Sequence, residues 1–128
     1  NYPAAYEWFL KATNNDYAPS QYMIGLMYHQ GHGVAINFER ARLWFLKAAK
    51  QGYANAQFMY AYMIQSGEGE KSDPSRAMVW ALVAEMNGKT DSVAITVPAS
   101  MTMSELEVNT AEKIANECFQ SNYQNCPD

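Results

Sequence analysis

Charge is what this sequence has least of. Only 17% of its 128 residues are Asp, Glu, Lys or Arg, and the acids outnumber the bases to give a net charge of −4. Nothing here would neutralise a row of phosphates, so a broadly basic nucleic-acid binder is excluded. Ile, Val and Thr are sparse, which argues against a sheet. No apolar run approaches the roughly 20 residues of a membrane-spanning helix. Cysteine occurs only twice, at Cys118 and Cys126, close to the C-terminus. Two cysteines so placed suit a disulfide that pins a tail; a pair of free thiols is the alternative. A disulfide lasts only in an oxidising compartment, which points to the periplasm or to secretion. Residue 1 is Asn, so the chain reads as processed, and the lack of a leader carries no weight.

Ala, Met, Tyr, Gln and Asn are plentiful. The apolar fraction is 48%, with 13% aromatic, enough for the core of a single domain over residues 1–128. The aromatics are also periodic. Trp8, Trp44 and Trp80 recur every 36 residues, and each opens a similar segment. In the same register Ala5, Tyr17, Gln21, Met23, Met27, Gly31 and Gly33 fall on Ala41, Tyr53, Gln57, Met59, Met63, Gly67 and Gly69. A period in the thirties with helical composition signals a helix-turn-helix solenoid, each repeat being a helix A and an antiparallel helix B. Residues 20–30 and 54–66 read as A helices, and 38–51 and 73–87 as B helices. Asp73-Pro74 supplies an N-cap and a first-turn proline. Residues 3–14 read as a helix B with no helix A before it, whose free face is expected to stack on earlier repeats. The expected divisions are 3–19, 20–53, 54–88 and a degenerate capping repeat over 89–128.

The run Ser20 to Val34, followed by Ala41 to Gln57, resembles the Sel1-like repeat, a tetratricopeptide-related α/α module. Its small and aromatic marks fall on Gly25, Tyr28, Gly31, Gly33, Ala41, Trp44, Ala48, Ala49 and Gly52. The resemblance covers residues 3–88 and implies an all-α right-handed solenoid. The second repeat departs from it at Ala61, Ile64 and Glu70, and Ala61 in place of glycine hints at slightly wider helix packing.

Beyond Gly88 the pattern decays. Residues 93–101 could form a short helix A, but Pro98 interrupts it. Thr102 and Glu105 read as a capping box opening a last helix over roughly 103–121. Overlaying Ala111–Cys126 on Ala41–Ala56 puts Cys118 at the end of a helix B and Cys126 at the start of the next helix A. Those places touch in a stack, which supports a disulfide-capped C-terminal helix. Cysteine-rich Sel1-like proteins of bacterial secretions are similar in the seven-residue gap between their paired cysteines.

Catalytic chemistry has little to stand on. His29 and His32 flank a helix end without a third metal ligand at a natural spacing, so they read as surface residues. Gly31-His32-Gly33 lacks the rest of a phosphate loop. Glu68, Glu70 and Asp73 read as a solvated turn. No nucleophile–base arrangement is present, and no metal or cofactor is expected.

In helix-turn-helix solenoids helix A lines the concave face. With Ile24, Gly25 and Tyr28 facing in, the outward residues are Tyr22, Leu26, His29 and Gln30, and one period on Phe58, Tyr62 and Gln65. Tyr22, Leu26, Phe58 and Tyr62 form an aromatic stripe suited to anchoring a protein partner, unless they pack between neighbouring A helices. Met23 and Met59 lie beside it and suit core filling. The expected function is a non-catalytic protein-binding module, a periplasmic or secreted adaptor. The resemblance also implies two narrower roles. One is an immunity protein against a type VI secretion phospholipase effector; the other is weak β-lactam binding or hydrolysis.

Overall fold

In a computed structural model covering residues 1–128, the chain is entirely helical. The helices are α1 Tyr2–Ala12, α2 Ala18–Gln30, α3 Phe38–Ala49, α4 Ala54–Ser66, α5 Pro74–Met86, α6 Val93–Met101 and α7 Glu105–Gln120. Single 3-10 turns at Thr13–Asn15 and Thr90–Ser92 follow α1 and precede α6. Helices α2, α4 and α6 form the A layer, and α1, α3, α5 and α7 the B layer, as a solenoid requires. None is long and apolar enough to cross a membrane.

Local chemistry starts the B helices. Asn1, Asn37 and Asp73 each accept a hydrogen bond from a backbone N–H three residues on, and Pro3 and Pro74 sit in first turns. The box that opens α7 pairs Ser104 with Glu107, two residues later than the Thr102–Glu105 reading. Both pairs have the right spacing, but Thr102 spends its hydroxyl on the Ala99 carbonyl at the end of α6. Helix α6 runs through Pro98. The ring removes one helical donor and leaves the Ala94 carbonyl without its usual partner, a loss that a nine-residue helix absorbs near its end.

The core lies between the two layers. Ile24, Phe45, Tyr60, Ile64 and Trp80 are fully covered, and Val83, Ala115 and Cys118 continue the packing under α7. Gly25 sits where a Cβ would lie 2.6 Å from the Phe45 ring, so only glycine admits that ring. One repeat later both partners change, to Ala61 and Ala81, each fully buried. The methyl gained on one helix is matched by the ring lost from the other.

A polar strut repeats as well. Gln51 Nε2 donates to Gln21 Oε1 at 2.8 Å, and one period on Asn87 Nδ2 donates to Gln57 Oε1 at 2.9 Å. Gln57 is fully buried, and its Nε2 donates to the Ala49 carbonyl at 3.0 Å.

The tail departs from the expected helix A. Tyr123 N donates to the Cys118 carbonyl as Tyr53 N does to that of Ala48, so the repeat geometry persists that far. Asn122 then takes the left-handed conformation of Gly52 in the same place, φ 56° against 87°. Tyr53 returns to extended backbone and caps α4, whereas Tyr123 stays left-handed at φ 65°. That second left-handed residue turns the chain back along α5. Tyr123 lays its ring over Gly52 and bonds Asn87; Trp80 Nε1 donates to the Pro127 carbonyl at 2.6 Å. Lys50 Nζ lies 2.6 Å from Asp128. A disulfide joins Cys118 to Cys126, with Cα atoms 4.6 Å apart, so Cys126 is held in a returning tail and not in a helix. Because the tail covers one repeat only, the three tryptophans differ: Trp8 is 76% exposed, Trp44 half-buried and Trp80 fully buried.

Reduction of the disulfide should cost about 2.5 kcal/mol from loop-closure entropy, read as a lower urea midpoint. An unchanged midpoint would mean the staple bears no stability. Gly25→Ala should cost about 1–3 kcal/mol by overpacking against Phe45, with partial rescue when Phe45→Leu is added; independent, additive effects would contradict the close approach.

Candidate protein-binding groove

The three A helices splay apart on one side of the layer and leave a groove of about 570 Å³. Helix α2 contributes Tyr22, Leu26, His29 and Gln30, α4 contributes Phe58, Met59 and Tyr62, and α6 contributes Ala94 and Ile95. The helical phase explains the set. Ile24 and Tyr28 point into the core, so the residues two positions before and after each look outward. Tyr62 is 43% exposed, while Tyr22, Leu26 and Phe58 are half-buried.

Each wall is held from behind. Tyr22 packs at an angle on Phe45 and Tyr53, with ring centroids 5.8 and 5.4 Å away. Burial, with some help from Tyr53, keeps its phenol above its ordinary pKa and therefore neutral. Lys89 Nζ stands 5.4 Å from the Phe58 ring. His29 closes the other end, with Nε2 3.0 Å from Glu68 Oε1 and the imidazole between Phe38 and Tyr62. The arrangement is an apolar trough between a cation and an imidazole–carboxylate pair. It offers aromatic faces; His29 is already paired with Glu68, while the Gln30 side chain stands exposed at the rim.

All four stripe residues and six of the seven expected outward residues meet in this trough; Gln65 does not. It holds the helical place of His29 one repeat on, but its side-chain oxygen is buried and its carbonyl accepts from Ser72 Oγ of the following turn. Met59, Ala94 and Ile95 were not expected here. Met59 occupies the flank position assigned to core filling, and the α6 pair depended on a helix that Pro98 obscured. Met23, its repeat mate, lines a smaller adjoining cleft with Leu26 and His32.

The acidic turn is not a solvated cluster. Glu68 takes His29, Glu70 takes both Arg42 and Arg76, and Asp73 caps α5. The two histidines also part company, since His32 stacks on Tyr2 at 4.3 Å.

The sequence profile of the Sel1 repeat matches residues 1–17, 18–53 and 54–89. The chain belongs to the Sel1 repeat family. Among solved structures, one similar chain is a protective antigen present in uropathogenic Escherichia coli strains, which displays an SLR fold. It shares 25% identity and a TM-score of 0.86, over 94% of this chain and 26% of that one. A Sel1 repeat protein from Oxalobacter formigenes shares 31% identity and a TM-score of 0.71, over 75% of this chain and 40% of that one. This chain thus spans well under half the length of either. No curated protein sequence matches it. Sel1 repeats are in general modules for protein–protein interaction, and the trough lies on the A layer that such modules present.

Glu68→Ala should leave stability within about 1 kcal/mol, because the pair is partly solvated. It should also speed modification of His29 by diethyl pyrocarbonate. Unchanged reactivity would mean that Glu68 does not shield the imidazole.

Proposed function

We propose that this Sel1 repeat chain is a non-catalytic adaptor that grips a partner protein in the A-layer trough, in the periplasm or outside the cell. The observation that carries the reading is the trough itself. Tyr22, Phe58 and Tyr62 come from two repeats, stand partly exposed, and converge on one apolar space. Aromatic anchors in a concave setting are the usual energetic centre of a protein interface. Leu26 and Met59 widen the apolar floor, and Met adapts its shape to what it meets. The fitting partner presents apolar side chains, flanked by polar groups for His29 and Gln30 at one end.

The Cys118–Cys126 bond supports an oxidising setting, since a cytosolic pair would be kept reduced. One structural relative is a protective antigen, which agrees with a role at or beyond the cell envelope. Nothing in the trough brings a nucleophile to a base.

Affinity capture from envelope and secreted fractions tests the reading, with wild type run beside Tyr62→Glu. A partner should be retained by the wild type and lost with the variant, while the helical circular dichroism stays unchanged. Equal capture by both proteins would remove the trough as the site.

A further inference from the structure

The opposite, B-layer face carries a second groove, whose chemistry is spelled out by its repeat mate. Between α3 and α5 the groove is filled by the chain's own tail. There Trp80 Nε1 donates to the Pro127 carbonyl, and the Asp128 carboxylate reaches Lys50. One repeat earlier, between α1 and α3, the matching groove is open, at about 570 Å³. A shift of 36 residues carries Leu10, Arg40 and Trp44 onto Leu46, Arg76 and Trp80, so the two grooves share their walls.

They differ in charge balance. Arg76 and Arg42 are both neutralised by Glu70. The residue in the place of Glu70 one repeat earlier is Val34, so Arg40 meets no carboxylate and instead donates to Tyr28 Oη at 3.3 Å. Lys47 adds a second cation, 4.6 Å from the Trp44 ring. In an acidic protein this is a local basic site beside an indole. The filled groove shows what seats on such an indole: a chain segment offering a backbone carbonyl, with a carboxylate next to it on a cation, Lys50, whose place one repeat earlier is taken by Asn14 while Arg40 and Lys47 supply the charge.

We propose that the Trp44 groove binds an extended acidic peptide segment of a partner protein. Its backbone carbonyl would take the Trp44 N–H, and its carboxylate would supply for Arg40 what Glu70 supplies for Arg76. The chain's own tail is held in the neighbouring groove by the disulfide and reaches this one only at Lys50. This surface is separate from the A-layer trough and does not depend on it.

The probe is a fluorescein-labelled hexapeptide of residues 123–128 carrying Cys126→Ser, followed by anisotropy against the oxidised full chain. Binding should saturate and weaken with salt. Arg40→Gln should weaken it roughly tenfold, as expected for a lost charged hydrogen bond. Trp44→Phe should weaken it as well. Tyr62→Glu should leave it unchanged, which separates this site from the trough. A probe with Asp128→Asn and an amidated end should bind less well. Circular dichroism and the urea midpoint establish that each variant is folded. The proposal is overturned if no saturable binding occurs, or if folded Arg40→Gln and Trp44→Phe variants bind as the wild type does. It is equally overturned if Trp80→Phe alone abolishes binding, since the probe would then be displacing the tail, or if light scattering shows that a second copy of the chain fills the groove.

Discussion

A single buried amide holds the architecture in register. Gln57 is wholly out of water, and a primary amide in that position is costly unless its groups are answered. Its nitrogen reaches back to the Ala49 carbonyl, and its oxygen takes Asn87 from the following B helix. Asn87 in turn holds the Tyr123 hydroxyl of the returning tail. One side chain therefore ties α3, α4, α5 and the C-terminal segment into a connected set. If α4 slid along its axis by one residue, both bonds of Gln57 would fail together. Apolar packing alone is more forgiving of such a slip. The Gln21–Gln51 pair is the same device one repeat earlier, without the third connection.

The two interaction faces follow from how this register is kept. Helix α2 packs on α3 and α4 on α5, and α3 and α5 pack on the A helices that follow them, so over these repeats like layers are held apart at their outer surfaces; α7 instead packs directly on α5. The gaps become grooves. On the A side the gap is lined by aromatics whose backs rest on the core, which keeps them presented. On the B side a gap remains wherever no chain segment lies in it. The tail fills one such gap, and Trp80 beneath it is fully buried.

Much of this was legible in the sequence because a repeat reports the same fact several times. The 36-residue period located the helix pairs, and helical phase located six of the trough's walls. The cysteine pairing was legible, although the register that set Cys126 on Ala56 at the start of a helix A is not kept by the tail. What escaped was whatever broke the repeat. Tyr123 matches Tyr53 as a residue, and nothing local says that one will be left-handed and the other extended. The preference is set by Gly52 and Asn87, which receive its ring and hydroxyl far along the chain. Pro98 argued against α6, yet tertiary packing on α5 and α4 outweighed one lost hydrogen bond. The acids of the Gly67–Asp73 turn looked solvated because their partners His29, Arg42 and Arg76 lie on other helices. Gln65 was misplaced because it shares the helical place of His29, and nothing in the repeat says that its side-chain oxygen will be buried.

The three tryptophans, equivalent in sequence and unlike in exposure, give the molecule an optical axis. An indole in water emits further to the red than one sealed in a core. Trp8, Trp44 and Trp80 therefore label three successive B helices with graded colours. Peeling α7 and the tail from α5 would redden Trp80, whereas settling a new layer on α1 would shift Trp8 to the blue.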